Sequence, residues 1–118
     1  MHRMTKQTTI SPAVKRAVAE RDSIDGCCCC VLCGSPNAQP NAHIVRRSQG
    51  GMGTERNIVS LCPHCHRAFD EGENIGRLKA IGFTCQQDIE DYILAYIKSH
   101  YSDWTPESVT YSKWKFMY

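Results

Sequence analysis

No apolar run in this sequence approaches the roughly 18 residues that span a bilayer, and its opening stretch MHRMTKQTTI lacks the hydrophobic segment of an export signal. The expectation is a soluble cytoplasmic protein of a bacterial or phage-infected cell, with no membrane partner. Strong net charge is missing too. At +2, with a pI near 8.1, the chain has no global excess that would imply nucleic acid, so any basic surface must be local. The local count is uneven, because eleven of the fourteen Lys and Arg fall within residues 1–79. There is also no internal repeat or low-complexity linker to mark a boundary. A single domain over residues 1–118 follows, with 42% hydrophobic residues to fill one modest core.

Cysteine, by contrast, is plentiful: eight residues, at positions 27, 28, 29, 30, 33, 62, 65 and 85. Disulfides rarely persist in a reducing compartment, so clustered thiols there more often bind metal. Cys30-Val-Leu-Cys33 and Cys62-Pro-His-Cys65 each have the spacing of a knuckle that offers two thiolates to one tetrahedral Zn2+. Gly34 follows directly and can take positive φ in the tight turn, which favours Cys30 and Cys33 over other pairings in the CCCC run. Cys27, Cys28, Cys29 and Cys85 read as packing residues or spare thiols. His64 or His66 could replace one cysteine in a Cys3His site. A secreted disulfide framework would require the export signal that is absent.

Local patterns place these motifs. SPAVKRAVAERD predicts a short helix with Ser11 as N-cap, Pro12 in its first turn, and Val14, Ala17 and Val18 on one face. Cys27 to Gly34 reads as a knuckle and SPNAQPN as a polar loop. Ala42–Val45 and Ile58–Leu61 are β-prone and flank a glycine-rich loop, which predicts a hairpin. A helix is expected from Pro63 through Asp70 with Gly72 as its stop. Thr84 and Gln87 read as a capping box before a helix bearing Ile89, Ile93, Tyr96 and Ile97 on one face. A knuckle, a hairpin and a helix that brings the last two thiolates make a treble-clef arrangement. The fold class is thus α+β, a small zinc domain flanked by N- and C-terminal helices, with its motif core at about 27–72 and a helix and aromatic tail over 84–118.

The strings CVLCG, AHIVRRSQGG and NIVSLCPHCHRAFD resemble the HNH endonucleases, notably their small phage and prophage members with two Cys-x-x-Cys pairs. The likeness covers about residues 10–75. It implies a ββα-metal finger that pinches a scissile DNA phosphate against one divalent cation, and it maps the three named letters onto His43, Asn57 and His66. One position departs from the family pattern: where many such enzymes carry an Asp or His ligand immediately before the general base, this chain has Ala42.

The residue chemistry agrees with that mapping. Phosphodiester hydrolysis needs a base for water and a cation for charge building up on the leaving oxygen. His43 can be a neutral base at physiological pH. His66 and Asp70, four apart on a helix, can hold one cation such as Mg2+, Mn2+ or Ni2+, and a sparse protein shell suits an ion that keeps its waters. Asn57 is better suited to hydrogen-bonding backbone than to chemistry. Arg46 and Arg47, ahead of Arg56, are the candidates for gripping phosphates. The tail YSDWTPESVTYSKWKFMY could stack on nucleotides but is better suited to packing. Two other readings stand beside the nuclease: a non-catalytic treble-clef module that binds nucleic acid, and one that binds protein.

Overall fold

The computed structural model describes residues 8–73 and 75–111, so the last seven residues of the aromatic tail lie outside it. Helix α1 (Pro12–Arg21) begins as the sequence predicts. Ser11 Oγ accepts from Val14 N at 3.2 Å, Pro12 sits in the first turn, and Val18 is fully buried. A small hairpin follows, β1 (Ser23–Ile24) against β2 (Cys27–Cys28), turned through Asp25 and Gly26 at φ of 53° and 81°. Two successive positive φ values match the twist of a tight hairpin. Cys27 and Cys28 therefore belong to a strand, and the knuckle begins at Cys30 rather than Cys27.

The central pair is β3 (Gln39–His43), antiparallel to β4 (Ile58–Leu61). β4 has the expected bounds, but β3 starts three residues earlier than its β-prone run and stops at His43. Its register breaks between Pro40 and Ala42, which leaves Asn41 bulged out. Proline cannot donate to a ladder, and placement at a bulge removes that demand. All four β4 residues are buried, with α1 packed across both strands.

Helix α2 (Pro63–Glu71) ends at Gly72, φ 72°, as predicted. A single turn, α3 (Ile75–Leu78), and a 3-10 turn (Lys79–Ile81) lead to α4 (Gln86–His100). Ile89, Ile93 and Ile97 are fully buried on α4 and build the core against α2. Its cap is displaced from the expected one. Thr84 donates both its backbone N–H (2.9 Å) and its hydroxyl (2.6 Å) to Asp88, while Gln87 bonds Asp91 on the open face. Those two bonds hold the Asp88 carboxyl below its usual range.

One buried ion pair ties three elements together. Arg21 Nε meets Asp22 Oδ1 at 2.8 Å, Asp22 Oδ2 accepts Ser60 N at 2.9 Å, and Tyr96 of α4 donates its hydroxyl to Asp22. The described part of the tail packs rather than standing free. Trp104 is buried and donates Nε1 to the Arg56 carbonyl at 2.7 Å; Met52 N donates to the Val109 carbonyl at 2.8 Å, and Gly51 bridges Thr110.

Candidate functional site

The Sγ atoms of Cys30, Cys33, Cys62 and Cys65 all lie within 4.8 Å of one another, with Cys33 and Cys62 at 3.7 Å. A tetrahedron with zinc–sulfur bonds of 2.3 Å has sulfur–sulfur edges of about 3.8 Å, so the four could hold a metal such as zinc with little movement. Their geometry comes from local backbone. Gly34 takes φ of 79° and donates to the Cys30 carbonyl at 2.9 Å, closing the first knuckle; Cys62 is the N-cap of α2 and Cys65 lies in its first turn. The thiols are not independent acids. A hydrogen bond from Cys65 pulls Cys30 well below the usual thiol value, while that same bond, and then burial, push Cys65 up. One thiolate is thus accommodated by its neighbours, and removing further protons calls for a cation. His64 and His66 contribute nothing to this group of four. Cys27 and Cys85 are exposed, and Cys28 and Cys29 half-buried, so none of the four is a core packing residue.

His43, the last residue of β3, is half-buried beside the other open face of α2. Its Nε2 donates to the Thr8 carbonyl at 2.9 Å. A carbonyl can only accept, so the neutral ring carries its proton on Nε2 and leaves the Nδ1 lone pair available. Burial holds the His43 pKa below its ordinary value; the Thr8 carbonyl opposes that shift and the Arg47 charge adds to it. His66 and Asp70 meet across one turn of α2, with Nε2 and Oδ2 2.8 Å apart. Both are partly open, and with His43, Arg46, Arg47 and Ser48 they line one cavity of about 270 Å³. An imidazole nitrogen and a carboxylate oxygen aimed at one place suit a divalent cation.

Asn57 is fully buried and spends its side chain on backbone. Oδ1 accepts from Val45 N at 2.8 Å, and Nδ2 donates to the carbonyls of Val45 (3.1 Å) and Met52 (3.0 Å). It therefore fixes both ends of the glycine-rich loop and stays out of the cavity. Gly51 makes that closeness possible, since a Cβ there would sit 1.7 Å from the Val45 carbonyl oxygen. Arg46 donates to the Asp70 carbonyl at 3.2 Å, and Arg47 to Thr8 Oγ1 at 3.1 Å, which holds both guanidiniums at the cavity wall. Arg56 lies elsewhere, paired with Asp103 at 3.0 Å and stacked over Tyr101. Sequence reasoning missed Thr8, whose carbonyl orients His43 from 35 residues away, and Asn41, whose bulge is a feature of register. Ala42 is fully buried and paired with Val59, so it faces the core and supplies nothing to the cavity.

Residues 30–70 match the HNH endonuclease family. The matched segment starts at Cys30 and ends at Asp70, enclosing the thiol cluster and His43, Asn57 and His66 in one stretch of chain. A 45-residue portion of the chain is 36% identical to Anaredoxin from Nostoc sp. (strain PCC 7120), covering 37% of this chain and 59% of that protein. The chain thus spans about three fifths of the length of that curated relative. No solved structure matches. Among the described residues, no helix is long and apolar enough to cross a membrane.

Proposed function

We propose that the chain is a metal-dependent endonuclease, one nuclease unit over residues 1–118, that hydrolyses DNA phosphodiesters. The observation that carries this reading is the convergence of His43, His66 and Asp70 on one cavity walled by Arg46 and Arg47, within the HNH segment. Cys30, Cys33, Cys62 and Cys65 would hold a Zn2+ that braces the fold. His66 and Asp70 would hold a divalent cation such as Mg2+, Mn2+ or Ni2+, which would supply positive charge against the negative charge growing on the leaving oxygen.

His43 takes a proton from water onto Nδ1 as the water oxygen bonds to phosphorus. The bond from phosphorus to the 3'-oxygen then breaks, that oxygen gains a proton from solvent, and the ends are a 5'-phosphate and a 3'-hydroxyl. Nε2 keeps its proton throughout, held by Thr8, so the ring does not turn away between turnovers. Arg46 and Arg47 orient the phosphate through their remaining N–H groups. Asn57 acts at one remove by fixing the loop that carries both arginines.

Buried Ala42 favours a second reading, a zinc module that binds nucleic acid without cutting it, because it leaves the cation only two protein ligands. A supercoiled plasmid incubated with zinc-loaded protein in Mg2+, Mn2+ or Ni2+, or with no added cation, separates the two. Nicking that depends on the cation and disappears in His43→Ala supports the nuclease; intact plasmid under every condition, with the plasmid still bound, leaves the binding module.

A further inference from the structure

The proposed cleavage centre is not the end of its cavity. Three adjoining cavities, of about 270, 270 and 450 Å³, all share the side chain of His66. One pair also meets at Asp70, another at His43 and Arg47, and the third at Asn41, so together they form one continuous groove. His66 stands at its middle. Lys15 of α1 lines one end, and Arg67 of α2 lines the other. Both side chains are exposed, and neither forms an ion pair or a side-chain hydrogen bond among the described residues. Arg46 and Arg47, by contrast, are anchored at the centre.

Among the described residues, no Phe, Tyr or Trp lines any part of this groove. Proteins that hold a single strand stack its bases on aromatic side chains, whereas a duplex keeps its bases paired and presents phosphates to spaced cations. We infer that the groove is a backbone track for duplex DNA, in which Lys15 and Arg67 hold phosphates on opposite sides of the scissile one. The inference rests on the nuclease reading for the place of the scissile phosphate, and it adds α1 to the binding surface. The helix thereby acquires a task besides covering the hairpin.

The test is fluorescence anisotropy of a labelled duplex with zinc-loaded protein and no other divalent cation, across a range of salt. Removing one phosphate-holding cation should lower the slope of log K against log salt by about 0.9, which is about 8-fold in affinity at 0.1 M salt. Lys15→Ala and Arg67→Ala are each expected to show this, equally for unrelated duplex sequences. Arg16→Ala and Lys79→Ala remove the same charge from exposed sites outside the groove and are expected to leave the slope unchanged. The same drop in slope in all four variants, or tighter binding of a single strand than of the duplex, would overturn the track. Binding here needs no chemistry, so the two ideas fail separately. Protein that binds through Lys15 and Arg67 yet never nicks plasmid loses the nuclease reading alone; protein that nicks while Lys15→Ala and Arg67→Ala bind normally loses the track alone.

Discussion

The thiol cluster and the groove use different faces of one short helix, and neighbouring residues divide between them. Cys65 is almost fully buried, whereas His66, about 100° further round the helix, opens onto the groove. The cluster assembles from two local knuckles, each fixed by a few residues of backbone. The groove instead brings residues 8, 15 and 43 to the helical pair 66 and 70, and nothing local joins those parts. Cohesion is concentrated in the first region and access in the second. A large partner can only be served by side chains that the core does not need, and a helix with two unlike faces supplies both sets from nine residues.

The largest effect expected is on the cluster. Structural zinc of this kind contributes on the order of 10 kcal/mol, comparable with the roughly 5–15 kcal/mol that keeps a whole domain folded. Cys62→Ser, followed by zinc analysis and thermal unfolding, is therefore expected to lose metal and cooperative folding together. A variant that folds normally without zinc would erase the contrast between the two regions. The groove should behave in the opposite way. His43→Ala is expected to cut turnover by about 100- to 10,000-fold while leaving zinc content unchanged. Because burial lowers the His43 pKa, the neutral base persists below the usual 6.5, and the wild-type rate should stay level near neutrality and fall only as pH drops through that lowered value. An inflection above 6.5 would assign the proton transfer to another group. Asn57→Ala tests the seam between the regions. It leaves half-buried backbone groups of Val45 and Met52 without the Asn57 amide, at no more than about 1–3 kcal/mol each since water can reach them. A lower melting temperature and reduced turnover are expected together, and stability loss with wholly normal turnover would show that the loop does not position the groove.

What the sequence made legible follows the same division. Cysteine spacing, Gly34, Pro63 and Gly72 are local signals; α2 starts at Pro63 and stops at Gly72 as expected, and the first knuckle differs only in beginning at Cys30 instead of Cys27. β3 was displaced because Pro40 and the Asn41 bulge matter only against a partner strand. The α4 cap moved from Gln87 to Asp88 because a one-residue shift at a helix start turns a side chain by about 100°, which composition does not reveal. The family resemblance pointed to His43 and His66 and helical spacing pointed to Asp70, but nothing in the sequence pointed to Thr8. A carbonyl's hydrogen bond is independent of side-chain identity, so no residue type announces it. The Asp22 network was equally silent, since an Arg-Asp pair ending a helix looks the same whether it is solvated or buried.

The clasp between Gly51, Met52 and the segment Val109–Tyr111 also sets a schedule. A polypeptide leaves the ribosome from its N-terminus, so both knuckles and the hairpin have emerged well before the residues that brace the loop beyond His43. Metal can thus be captured early, whereas the arginine-bearing wall acquires its support about forty residues of synthesis after α2 is complete. A nascent chain stopped after Tyr101 is expected to retain zinc yet exchange the amide hydrogens of residues 46–53 faster than the full chain. The order of synthesis itself would then make the arginine-bearing wall the last part of the groove to be braced.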